Sequence, residues 1–321
     1  WRNIKGTPFS GPIALGFQLE FLCSDRITRY RNEEGRDPRA QLAFRNFEFT
    51  FAGAVSAGEA FELDLRRTVD KSKHGAGLSN RAVIRRTDGT PLLIGTQSDT
   101  PEPRFLPAFN TDDISTPARI PDRTLIPGSD LFLKRKFLNT SNAKNFALAA
   151  SCRQNDYIDE LAESVKFPPL FTASLISCAL LERGRARGHD FEAEPMVYTS
   201  HQISVNMQAQ NKLRSNDALH VIVAPPEDVA PSAGLGKACV AQQLFNCETL
   251  LDDGAGTACV PAGARKLELA SPPAGLRCAA RRKTGSFHRG IPPRAESRPA
   301  AGHGPRACAR ATVEGAPPIA A

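Results

Sequence analysis

Acid–base side chains crowd into one stretch of this 321-residue chain, SCRQNDYIDELAES, residues 151–164. Asn155, Asp156 and Asp159 lie close together there. A carboxylate beside an amide suits proton transfer to or from a water that the amide orients. Farther on, His201 stands in the alternating run YTSHQIS, from which an imidazole on a strand reaches a site built by neighbouring elements. Just after the acidic stretch, FPPLFTASL places Ala173 and Ser174 near an expected helix start. Backbone N–H groups there lack intrahelical partners and offer themselves to a carbonyl oxygen. Each residue also has a plainer reading. Asp156 and Asp159 suit a solvated loop face, Asn155 a turn, and His201 a hydrogen-bonded or solvated strand position.

Other chemistries find no support in the sequence. It has no GxSxG elbow, no GxxxxGK[ST] phosphate loop and no GxGxxG after a strand. None of the eight Cys forms a CxxC pair, and five of them precede residue 253, an odd count. That pattern reads as reduced thiols in a cytoplasmic protein, with Cys178 in a core. Cys259, Cys278, His288, His303 and Cys308 are irregularly spaced, so no metal site is expected. No run reaches the roughly 18 apolar residues of a membrane span. Gln18 and Glu20 interrupt the apolar part of the N-terminal segment, which argues against a secretory signal.

The elements that position these residues come in two sets with the same order. The first runs FSGPIALGFQLEFLCSDR, then LAFRNFEFTFAGAVSAGEAFELDLRRTV, then LSNRAVIRRTDGTPLLIGTQSD. The second runs FPPLFTASLISCALLERG, then MVYTSHQISVNMQAQNKLRSNDALHVIV, then VAQQLFNCETLLDDG. In each, an apolar helix follows a proline, Pro12 in the first set, and antiparallel strands follow the helix. FRNFEFTF alternates with period two, separating Phe44, Asn46, Glu48 and Thr50 from Phe47, Phe49 and Phe51. Asp88-Gly89 and Asp253-Gly254 read as tight turns, where glycine supplies positive φ. Ahead of the second helix, SDLFLKRKFLN reads as a strand with Leu131, Leu133 and Phe137 on one side and Lys134 and Lys136 on the other. TSNAKNFALAAS then reads as a short helix capped by Ser141 or Asn142. The expected fold class is α+β, with two sheets each wrapped around a central helix. Residues 1–97 form the first unit, 98–127 a linker with six prolines, and 128–253 the second unit.

Charge separates the last segment from the rest. Of 41 Lys+Arg and 34 Asp+Glu, residues 254–321 hold 11 and 3, which leaves 30 and 31 before them. A near-neutral body offers no clustered cations for specific nucleic-acid binding. Residues 254–321 hold nine Pro and nine Gly without periodicity, a composition expected to be disordered. The break at a turn suggests a tail that is not the native continuation, and a second unit without its closing strand. The first unit lacks a counterpart of SDLFLKRKFLN before Trp1, so the sequence reads as a fragment, with both units expected to be incomplete.

The helix opening GPIALGF resembles the G-P-I-A-H-G-M segment of MaoC-like acyl dehydratases and R-specific enoyl-CoA hydratases. It matches at Gly11, Pro12, Ile13, Ala14 and Gly16, with Leu15 where that pattern has His. AGEAFEL is similar to the family's G-D-x-L strand opening. The resemblance covers roughly residues 9–253 and implies tandem hotdog folds. It also implies an acyl-thioester substrate on CoA or a carrier protein, no cofactor, and pairing as a homodimer or with a partner hotdog subunit. The family's G-D-x-N-P-x-H motif aligns with Asn155, but Arg153 then stands at its Asp and Ile158 at its His. Shifting the motif to begin from Asp156 puts Ile158 at the Asn and Leu161 at the His. The resemblance therefore implies a hydratase or dehydratase with a degenerate motif. The alternatives are a non-catalytic acyl-thioester-binding subunit, or a thioesterase using Asp156 or Asp159.

Overall fold

The apolar run after GPIA becomes an 18-residue helix, α1 (Gly16–Glu33), buried on nearly every side. Pro12 precedes it by four residues, whereas the sequence places the helix start at that proline. The reason is a β-like contact: Ala14 N–H donates to the Val55 carbonyl at 2.9 Å, and Ala57 N–H to the Pro12 carbonyl at 3.1 Å. The helix is capped from within, Gln18 Oε1 accepting from the Leu15 amide.

The computed structural model describes residue 9 and residues 11–36, 42–71, 77–105, 114, 117–229, 241–252, 258–271 and 309–313. For 229, 241–246, 248, 252, 258–271 and 309–313 it describes the backbone alone. After α1 come β1 (Phe44–Phe51), β2 (Phe61–Leu65), the short β3 (Val69–Asp70), β4 (Leu78–Arg86) and β5 (Pro91–Thr100). The β4–β5 turn is the expected Asp88-Gly89, with Gly89 at φ 87°. The second set comprises β6 (Thr124–Leu125), β7 (Phe132–Phe137), α2 (Thr140–Ala149), the two-residue strands β8 (Ile158–Asp159) and β9 (Ser164–Val165), α3 (Pro169–Ser174) and α4 (Ile176–Ala186). It continues with β10 (Val197–Asn206), α5 (Met207–Gln210), β11 (Ala218–Val223), β12 (Glu227–Val229) and β13 (Ala241–Asp252). Two further strands, β14 (Ala258–Ser271) and β15 (Ala309–Val313), lie beyond Gly254.

One antiparallel sheet runs in the order β15-β2-β4-β5-β1-β10-β14-β13-β11-β7-β6. Read outward from the β1–β10 seam, β1-β5-β4-β2 repeats as β10-β14-β13-β11, so the halves are related by a pseudo-twofold at the seam. Phe47, Phe49, Leu63, Ile84 and Leu93 pack under α1, and Ile203, Val205, Val221 and Val223 continue the same core under α3 and α4. This is a tandem hotdog of the α+β class. The seam is pinned on the opposite face, where Ser204 Oγ donates to Asn46 Oδ1 and Gln202 Nε2 to Glu48 Oε1.

Four sequence expectations change. The expected missing closing strand is supplied by β14, which pairs with both β10 and β13. Ladder hydrogen bonds use only main-chain groups, so an open sheet edge accepts a backbone without side-chain periodicity. β15 likewise pairs with β2, so residues 258–271 and 309–313 depart from the expectation of disorder; the rest of 254–321 lies outside the described residues. In β7, Lys134 is buried and Phe137 is 63% exposed, the reverse of the expected sides. Lys134 Nζ is neutralised by Asp122 at 2.7 Å and Glu182 at 3.5 Å, which permits its burial. The cap of α2 is Asn139, whose side chain accepts from the Asn142 amide, rather than Ser141 or Asn142.

Candidate functional site

Helical spacing places Gly16, Glu20, Cys23, Ile27 and Arg31 along one stripe of α1. Two of these five are charged and fully buried: Glu20 near the start and Arg31 near the end. Opposite Glu20 stands His201 of β10, one residue after Ser200 and paired across the seam with Phe49. His201 Nδ1 and Glu20 Oε1 are 2.8 Å apart, and neither side chain is exposed. The pair thus joins a helix of the first unit to a strand of the second.

Its surroundings are aromatic. Phe17 stacks on the imidazole at 4.4 Å between centroids, and Phe51 and Tyr198 meet it edge-on at 5.0 and 4.5 Å. Tyr198 and His201 are three residues apart, a spacing that puts side chains on opposite faces of a regular strand. A register shift between Tyr198 and Ser200 in the β10–β14 ladder inserts one residue, and the bulge turns both toward α1. Close approach at the helix start depends on Gly16, because a Cβ there would meet Phe51 Cζ at 2.6 Å.

The outer atoms of the pair, Glu20 Oε2 and His201 Nε2, have no hydrogen-bond partner among the described residues. Leaving a buried polar atom unpaired costs about 1–3 kcal/mol, so such atoms concentrate where chemistry needs them. Burial pushes the Glu20 carboxyl above the usual carboxylate range, and the attraction and hydrogen bond of His201 only partly oppose it. The result is a carboxyl–imidazole pair sharing one hydrogen bond, with a proton-transfer position still open on each group.

The other residues singled out in the sequence lie elsewhere. Asn155 is exposed in a 3-10 turn, Gln154–Asp156. Asp156 forms an ion pair with Arg29, and Tyr157 O–H donates to Asp25 Oδ1 at 3.1 Å. Tyr157 also sets its ring edge on Phe21 at 5.1 Å. The 152–159 loop is therefore docked along α1 on Phe21, Asp25 and Arg29, with Asp156 meeting the helix at Arg29, about 13.5 Å along the axis from Glu20 at 1.5 Å per residue. Asp159 Oδ1 accepts from the Leu161 and Ala162 amides at 3.0 and 3.2 Å. Ala173 and Ser174 end the six-residue α3, where the helical pattern directs amides back to carbonyls one turn earlier. Ser174 Oγ donates to the Phe171 carbonyl at 2.7 Å. Of the residues named from sequence, only His201 reaches the buried pair. Its partner Glu20 had one signal, an acid four residues after Gly16 between Phe17 and Phe21 on an apolar helix.

No family model matches the chain, and no curated protein matches it. Solved structures are similar at low identity. The dehydratase domain of RzxB from Pseudomonas fluorescens is 9% identical, with a TM-score of 0.45 over 80% of this chain and 85% of that one. A double-hotdog protein of Mycobacterium tuberculosis is 10% identical, with a TM-score of 0.42 over 83% and 82%. The tesB protein of Mycobacterium avium subspecies paratuberculosis is 12% identical, with a TM-score of 0.42 over 84% and 91%.

Among the described residues, no group of three or more His, Cys, Asp or Glu side chains is arranged to hold a metal ion. The side chains of Cys259, Cys278, His288, His303 and Cys308 lie outside them. No described helix is long and apolar enough to cross a membrane.

Proposed function

We propose that the chain is an acyl-thioester hotdog protein of the hydratase/dehydratase kind, with Glu20 and His201 as its acid–base pair. The observation that supports this reading is the buried 2.8 Å carboxyl–imidazole contact with an unpaired atom on each side. Hydration of an enoyl thioester needs one group to take a proton as water oxygen bonds to Cβ. A second proton is delivered to Cα as the C=C electrons move there. A hydrogen-bonded acid and base suit both transfers, and no cofactor enters the balance. The first amides of α1, at Gly16 and Phe17, have no carbonyl one turn earlier within the helix and suit the thioester oxygen.

The non-catalytic reading is favoured by one observation, the complete burial of both groups. The thioesterase reading through Asp156 or Asp159 has less support, since Arg29 and two backbone amides occupy those carboxylates.

Crotonyl-CoA hydration by the full chain tests the proposal. Glu20→Gln and His201→Asn are each expected to lower kcat by about 10²–10⁴, the usual contribution of a general acid or base. Both variants should retain cooperative unfolding. Acyl-CoA binding without turnover, seen as a raised thermal midpoint, would establish the binder instead, and release of free CoA the thioesterase. An acyl-CoA series that neither reacts nor binds would overturn all three.

A further inference from the structure

His201 is fully buried, but the rings around it are not equally so. Phe17 is 4% exposed, whereas Phe51 and Tyr198 are half-buried. These two rings meet the imidazole edge-on from adjoining strands and are the more exposed of the three that cover it. They are held differently. Phe51 rests by apolar contact over Gly16. Tyr198 O–H donates to Ser177 Oγ of α4 at 2.9 Å, and Ser177 is itself half-buried.

We infer that the gap between Phe51 and Tyr198 is the entry port of the Glu20–His201 site, and that the Tyr198–Ser177 hydrogen bond latches it shut. The inference rests on the acyl-thioester reading for what enters, a flat conjugated thioester able to slide between two ring edges. The latch itself is independent of turnover. A neutral hydrogen bond to a half-buried serine is weak enough to open thermally. The bulge at Thr199 places the hinge of the ring on an irregular step of β10, next to Tyr198. Neither Tyr198 nor Ser177 touches the reacting atoms in this scheme; both act by admitting them.

Carbethoxylation of histidines by diethyl pyrocarbonate, mapped by mass spectrometry on the intact chain, reads the latch directly. His189 is partly exposed and serves as the fast reference. His220 is fully buried on β11 and reports any general loosening. In the unaltered protein His201 should react nearly as slowly as His220. Ser177→Ala and Tyr198→Phe, which remove the hydrogen bond and keep the ring, should each speed His201 modification about two- to tenfold with His220 unchanged. The double variant should go no further than either single one, since all three lack the same bond. His201 rates that stay unchanged, that rise together with His220, or that add in the double variant would overturn the latch. Turnover with an unaltered His201 rate in both variants would overturn the latch alone and leave the hydratase reading standing. Faster labelling in a protein that neither binds nor turns over thioesters would do the opposite.

Discussion

Two polar clusters lie under α1, one at each end, and they are built on opposite terms. Near the end of the helix, Asp99 of β5 stands between Arg31 and Arg45, each bonded to it, Arg45 Nε at 2.9 Å. Arg31 Nε also donates to Asn80 Oδ1, whose amide nitrogen reaches the Arg66 carbonyl and Thr68 Oγ1. Both oxygens of Asp99 and both polar atoms of Asn80 are thus engaged. Near the start of the helix, Glu20 and His201 have only each other, and each leaves an atom unpaired. Burial pushes both acids toward the neutral form. For Asp99 the two guanidinium groups outweigh it and hold the carboxyl below its usual range, while for Glu20 His201 does not. The same helix and sheet therefore hold one cluster whose carboxylate is fully engaged, with Arg31 Nη2 left unpaired, and one in which the carboxyl and the imidazole each leave an atom unpaired.

Breaking the Asp99 cluster should have the largest effect. Asp99→Ala leaves two buried guanidinium groups without their carboxylate and should cost about 3–5 kcal/mol in urea unfolding at neutral pH. The lowered folded pKa of Asp99 means its stabilisation is present above the unfolded pKa of about 3.9 and is lost as pH falls through the folded value. The variant should lack that acid limb; a loss below 1 kcal/mol would dissolve the contrast.

Glu20→Gln should act in the other direction. The raised folded pKa means that Glu20's contribution is full below the unfolded value of about 4.3 and is lost as pH rises through the folded one. Removing the titration should leave the variant as stable as the parent in mild acid and more stable above neutrality, by about 0.5–2 kcal/mol. The thermal midpoint across pH measures this, and a variant destabilised at alkaline pH would place Glu20 with Asp99 as a fold-holding group. The smallest effect is expected at the loop. The Asp156–Arg29 pair is 44% and 31% exposed, so Asp156→Ala should cost about 0.2–1 kcal/mol, and less in high salt.

Much of the architecture is legible because it follows local rules. Alternation marks β1, β2 and β10, Asp88-Gly89 marks the β4–β5 turn, and the repeated order of elements marks the tandem hotdog. The exceptions are places where a distant partner decides. Lys134 turns inward because Asp122 and Glu182 wait there, and Pro12 pairs with the 55–57 segment instead of opening a helix. The site divides in the same way. His201 stands out as the one imidazole of an alternating strand, YTSHQIS. Glu20 reads as an interruption of an apolar run until the fold brings it to a histidine 181 positions later. The acidic loop draws notice by composition, yet Asp156 is spent on Arg29, Asp159 on the loop's own amides and Glu160 on Lys144.

The seam has a consequence for stoichiometry. Its seven residue pairs centre on Phe47 opposite Ile203, and a half-turn about that pair carries His201 onto Arg45. Two identical subunits joined this way would offer two imidazoles and bind two ligands. In this chain the position related by the half-turn is an arginine already committed to Asp99, so the proposed site has no second imidazole at its counterpart. A ligand titration should reach its end point at one equivalent per chain.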